Sequence, residues 1–128
     1  KLINQLLAGV HIAAAAEAMN LAAGLKMDLH QVIDVISKCA GSSWMFENRA
    51  PHIADGDYTP LSSVNIFVKD LGIVAQEAEQ KNVVTPLSDA ALTLYNKASE
   101  SGLGAEDDSA IVKVLAERSG IKLPGSSA

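Results

Sequence analysis

Apolar residues fall on nearly every side of a helical projection through the first 26 positions. Leu2, Leu6, Leu7, Val10, Ile12 and Met19 are interleaved with Ala13 to Ala16, Ala18, Ala22 and Ala23. Before the first proline, Pro51, the only breakers are Gly9, Gly24 and Gly41. The pattern predicts one helix over 1–26, roughly 39 Å long at 1.5 Å per residue. A helix that is apolar all round is a buried one, so the remaining helices are expected to wrap around it.

A helical rhythm continues after it. Asp28 is a helix N-cap, with Gln31 placed to complete a capping box, and Leu29, Val32, Ile33, Val35 and Ile36 form the buried side of a second helix. Ser42 or Ser43 caps a third over 43–54, in which Pro51 should bend or end a turn. Residues 55–60, DGDYTP, read as a turn. A fourth helix spans 64–81, with Val64, Phe67, Val68, Leu71, Val74 and Ala78 on one side. Pro86 opens a fifth at a position proline favours, running to Ser101 with Leu87, Ala91, Leu94 and Tyr95 inward; Gly102 and Gly104 break it. The last covers 107–118. No run alternates with the period of a strand, so the fold class is all-α, a bundle around one long central helix. Residues 1–121 form the helical domain and 122–128 read as a flexible tail.

Composition narrows the function. The chain has 128 residues, 48% hydrophobic and 20% charged, with net charge -5, enough for one domain with its own core. The ten basic residues are scattered rather than clustered, which argues against a nucleic-acid surface. Asn4, Gln5, His11, Glu17 and Asn20 interrupt the long apolar helix, so no membrane span is expected; nor is a signal peptide visible. One cysteine, Cys39, cannot form an internal disulfide and fits a reducing, cytoplasmic setting; it reads as a small buried hydrophobe. Trp44, Met45 and Phe46 read as core, or as a pocket wall beside Ser42 and Ser43. His11, His30 and His52 lack metal-ligand spacing, and no metal is expected. The absence of an initiator methionine and the start in mid-pattern suggest a piece of a longer protein.

Candidate chemistry gathers at the start. Lys1, Asn4, Gln5, Ala8 and Ile12 share one helical stripe, placing an ammonium beside two carboxamides. This is either a solvated helix start or a catalytic lysine with amide partners, since a Lys serves as acid and base once its pKa is lowered. Gly41, Ser42 and Ser43 at a helix N-terminus suit an anion such as a carboxylate. Asp107 and Ser109 read as a cap favouring the helix dipole. Lys69 and Asp70, taken alone, read as a solvated pair.

Four ordered blocks carry a resemblance: KLINQ at the start of an Ala-rich helix with Glu17, GSSWMFENR at 41–49, FVKDL at 67–71 and EDDSA at 106–110. Together they resemble the C-terminal half of the β-hydroxyacid dehydrogenases, the family of 3-hydroxyisobutyrate dehydrogenase, tartronate semialdehyde reductase and 6-phosphogluconate dehydrogenase. TPLSSVNIFVKDLGIV is most similar to the threonate branch. The resemblance covers residues 1 to about 121 and implies the 6-phosphogluconate dehydrogenase C-terminal fold. It implies a Rossmann domain preceding this segment and absent from this chain, which has no GxGxxG and which would leave that domain to hold most of the NAD, or NADP.

The resemblance further implies that Lys1 is the general acid/base for oxidation of a small hydroxy acid, a four-carbon sugar acid such as threonate. Asn4 and Gln5 would contact substrate, one orienting its hydroxyl or carboxylate while the other braces Lys1. Lys69 would reach the cofactor or the closed active site, and Asp70 would tie its helix to a neighbour. Ser42 and Ser43 remain substrate-binding candidates, and Ile66 and Phe67 stand between pocket lining and core. Family members associate through this domain, so a homodimer or homotetramer is expected. The isolated piece is expected to be inactive. The competing reading is a non-enzymatic helical dimerisation or interaction module of the same fold; some relatives that have lost catalysis carry a different residue where this chain has Lys1, so Lys1 with Asn4 and Gln5 favours the enzyme.

Overall fold

Six α-helices are present in the computed structural model, which describes residues 1–125: α1 Leu2–Gly24, α2 Leu29–Ile36, α3 Trp44–Asp55, α4 Val64–Gln80, α5 Pro86–Ala98 and α6 Val112–Ser119. Among the described residues there is no strand, only an isolated bridge between Ser63 and Asp107. The all-α class and the central long helix are as read from the sequence.

Small residues let α1 act as the axis. Its inward face is Gly9, Ile12, Ala13, Ala15, Ala16, Met19, Asn20 and Ala22, and α3, α4, α5 and α6 all pack on it. At Gly9 a Cβ would lie 3.0 Å from the side chains of Leu71 and Phe67, so α4 approaches closely only because none is there. The Tyr95 hydroxyl of α5 donates to the Gly9 carbonyl at 2.8 Å, and the Tyr95 ring stacks on Phe67 with centroids 5.3 Å apart.

α1 is not buried all round, contrary to its pattern. Ile3 is 70% exposed, and Leu7, Leu21 and Leu25 are also exposed. The bundle covers one side of α1 and leaves a stripe uncovered, because composition says how apolar a face is and not how many helices reach it. By length and composition alone α1 could cross a membrane, yet half of its most apolar window is buried within the bundle.

Other local expectations shift for equally local reasons. Asp28 caps α2, accepting from the N–H groups of His30 and Gln31, but among the described residues the Gln31 side chain does not return the bond. α2 has eight residues and buries only Leu29, leaving Val35 exposed. α3 continues through Pro51 to Asp55 and ends at Gly56, which takes the left-handed conformation at φ 66°. Phe46, Arg49, Ala50, Ile53 and Ala54 are buried on both sides of the proline, and that packing outweighs the lost bond.

Trp44 is 71% exposed while Phe46 is buried, so the aromatic cluster is split between surface and core. Cys39 is exposed too, its thiol donating to the Val35 carbonyl. Leu87, expected inward, lies exposed in the first turn of α5. The last helix is entered through a 3₁₀ turn at Asp108–Ile111. Residues 122–125 do not trail away as the tail reading expected: Leu123 is buried, and a Cβ on Gly56 would meet the Pro124 carbonyl oxygen at 2.6 Å. The remainder of that tail, 126–128, lies outside the described residues.

Candidate active site

The start of α1 and the middle of α4 meet at one end of the bundle. Gln5 Nε2 donates to Asp70 Oδ2 at 2.6 Å, and Asn4 Nδ2 donates to Gln5 Oε1 at 3.2 Å. Lys69 Nζ lies 3.7 Å from the other Asp70 oxygen, Oδ1. Lys1 occupies the N-cap position, and its carbonyl accepts from the Gln5 N–H at 3.0 Å. Three sequence candidates, Asn4, Gln5 and Lys69, are thus linked through Asp70, and Lys1 lies one turn before Gln5 at the start of the same helix.

Burial differs sharply within this group. Asp70 is 9% exposed, whereas the Lys69 side chain is 66% exposed. Lys1 and Asn4 face outward and Gln5 is half-buried. Neither carboxamide bonds the Lys1 ammonium, so the expected brace between an amide and Lys1 is not formed in this chain. At 3.7 Å the Lys69–Asp70 contact is charge attraction rather than a hydrogen bond, which leaves the Lys69 donors available to an anion.

Ser42 and Ser43 lie elsewhere. Ser43 Oγ caps α3, accepting from the Phe46 N–H at 2.9 Å, and Ser42 Oγ donates to Glu47 at 2.7 Å. Both border an apolar groove of about 590 Å³ with Ala14, Ala18, Leu21, Val32 and Phe46. That groove follows the second half of α1; from Asn4 to Ala18 the helix advances about 21 Å. The single chain therefore does not bring the serines to Lys1. Ile66 is partly exposed and Phe67 buried against Tyr95.

A buried ion pair joins α3 to the turn that precedes α6. Arg49 Nε donates to Asp108 Oδ1 at 2.7 Å and Nη2 to Oδ2 at 3.3 Å, with Asn48 Oδ1 accepting from Nη1. Asp107 accepts from the Leu61 N–H at 3.0 Å and from the N–H and hydroxyl of Ser109, the capping role read from the sequence. The same loop holds the start of α4, because Glu106 and Gly104 carbonyls accept from Val64 and Asn65 N–H groups. Among the described residues no group of three His, Cys, Asp or Glu side chains is placed to hold a metal.

Comparison with known proteins fixes the lineage. Residues 1–115 match the sequence pattern of the family described as NAD-binding of NADP-dependent 3-hydroxyisobutyrate dehydrogenase. The chain belongs to this family. It is 57% identical over 127 residues to an L-threonate dehydrogenase of Cupriavidus necator, covering 99% of this chain and 42% of that protein. Identity to an Escherichia coli L-threonate dehydrogenase is 56% over 126 residues, 98% of this chain and 41% of that one. The crystal structure of a Salmonella typhimurium 3-hydroxyisobutyrate dehydrogenase superposes with TM-score 0.88 at 57% identity, over 89% of this chain and 40% of that chain. The chain therefore spans about two fifths of the length of the relatives it matches, and within the family it stands near the threonate branch.

One feature of this segment escaped the sequence reading. The Arg49–Asp108 pair joins GSSWMFENR to EDDSA across 59 positions; a buried arginine needs a buried carboxylate, but spacing does not say which one. Asp70 was placed as a helix tie, and the bond to Gln5 is that tie. Its signal lay in two polar blocks on otherwise apolar helix faces.

Proposed function

We propose that this chain is the C-terminal part of an NAD(P)-dependent dehydrogenase that oxidises a small hydroxy acid, a four-carbon sugar acid such as threonate. The observation that carries the reading is the Gln5–Asp70 bond, which puts the K-x-x-N-Q start of α1 and the Lys69–Asp70 step of α4 at one end of the bundle. The 50–57% identity to L-threonate dehydrogenases points to the four-carbon acid.

Oxidation of such an alcohol removes a proton from oxygen and a hydride from the adjacent carbon. A nicotinamide, when bound, accepts the hydride. Lys1, in its amine form, takes the hydroxyl proton and becomes an ammonium; in the reverse direction it returns that proton to the alkoxide. Asn4 orients the substrate, since a carboxamide donates and accepts without adding charge. The exposed Lys69 ammonium faces the cofactor, its donors fitting a phosphate or carboxylate oxygen. The exposed stripe of α1 supports assembly as a homodimer or homotetramer.

Initial rates of the full-length protein with NAD and NADP across a panel of hydroxy acids test this reading, repeated with Lys1→Ala. The expected result is oxidation of a four-carbon sugar acid and a fall of about a thousandfold in turnover for the variant. No turnover of any hydroxy acid, or an undiminished Lys1→Ala variant, overturns it.

A further inference from the structure

An ionised carboxylate only accepts hydrogen bonds. Asp70, 9% exposed, has Oδ2 2.6 Å from the Gln5 amide and therefore requires the Nε2 end of that amide to face it. Reversing the amide would set Oε1 against the carboxylate and leave both acceptors unpaired, with the burial penalty that follows. With Nε2 committed, Gln5 Oε1 faces Asn4 and accepts only from Nδ2, as the 3.2 Å contact shows. The Asn4 amide is thereby oriented as well: one N–H is spent on Gln5, and Oδ1 with the second N–H is left without a protein partner among the described residues.

We propose that Asp70 is a positioning residue: acting through Gln5, it fixes the orientation of two successive carboxamides and so presents the Asn4 carbonyl oxygen to the substrate hydroxyl. This rests on the dehydrogenase reading above. Its other oxygen attracts Lys69 across 3.7 Å, so one buried carboxylate aligns the substrate side of the site with the cofactor side. A plain helix tie would need the Gln5 contact alone, and the state of Asn4 would be immaterial to it.

The test is a double-mutant cycle in the full-length protein with a hydroxy acid as variable substrate. Asp70→Asn, which presents either an oxygen or an amide to Gln5, is expected to raise KM for the hydroxy acid and lower kcat/KM by about ten- to a hundredfold, the range seen when an outer orienting partner is lost. Asn4→Ala added to Asp70→Asn is expected to cost little more, because the Asn4 amide is already disordered; a structural tie predicts additive losses. The swap Gln5→Glu with Asp70→Asn restores the alternation of donor and acceptor and is expected to recover most of the loss. An Asp70→Asn variant as active as the parent, additive losses, or a swap no better than Asp70→Asn alone overturns the proposal. A second readout needs no turnover: with the Asn and Gln side-chain amides labelled with nitrogen-15, the half-buried Gln5 N–H signals should lose their protection from exchange in Asp70→Asn, and the Asn4 signals should shift with them. If the parent oxidises no hydroxy acid, the dehydrogenase reading falls, while this exchange measurement still upholds or overturns the orienting role of Asp70.

Discussion

Burial pushes the Asp108 carboxyl up, to about 6, against the opposing pull of the Arg49 guanidinium and with Asp107 adding to the rise. The unfolded carboxyl titrates near its ordinary 3.8. Between those values the folded chain holds a proton that the unfolded chain has released, so this group's contribution to stability falls as pH rises through the window. Near pH 7 the pair is ionised, and Arg49→Met leaves a buried carboxylate uncompensated at a cost of about 3–5 kcal/mol. Near pH 5 the folded variant keeps that carboxyl protonated, and the loss should be clearly smaller. Urea unfolding of parent and variant at the two pH values measures the difference; equal losses would show that Asp108 does not change its charge across this window and sink the account. Such a pair is illegible in a sequence, because periodicity marks which residues are inward and not which turns of distant helices meet. Lys1, Asn4 and Gln5 were legible for the opposite reason: i, i+3 and i+4 neighbours share a face in any helix. The direction of their amides was not, since it depends on Asp70, sixty-five positions beyond Gln5.

At the scale of elements, the most exacting joint lies where α3 stops. Gly56 holds φ at 66°, and a Cβ there would sit 2.6 Å from the Pro124 carbonyl oxygen and 3.0 Å from the Gly125 Cα. Gly56→Ala therefore combines left-handed strain with a backbone clash, and about 1–3 kcal/mol of destabilisation is expected. Because the clash falls on 124–125, amide exchange should quicken around buried Leu123 more than in α1. Uniform protection in the variant would mean that the C-terminal segment does not depend on this joint. The tail reading failed here because IKLPGSSA is polar and small in composition, while the docking rests on Leu123 and on the missing Cβ of Gly56. Pro51 shows the same limit from the other side: proline opposes a helix interior, yet buried neighbours carry α3 past it.

For the whole molecule, the uncovered stripe of α1 sets the problem. Ile3, Leu7 and Leu21 are exposed along one helix and Leu25 at its C-cap, with exposed Ala14 and Ala18 between them. A largely apolar stripe of this kind, broken at His11 and flanked by Glu17, fits an association face, and the two alanines allow another helix to come close at the middle. A second copy of the chain is the occupant inferred above, and the mid-stripe residues should then matter most. Light scattering of the full-length protein at micromolar concentration is expected to give a dimer or tetramer. Ala14→Glu with Ala18→Glu places two carboxylates at the closest approach and should shift the protein towards monomer, since an unpaired buried charge opposes assembly strongly. Both alanines face away from the core of the bundle, so helix content should be kept. A monomeric parent would show that the stripe is covered within one chain instead, and an unchanged oligomer in the double variant would place the subunit contact on another face.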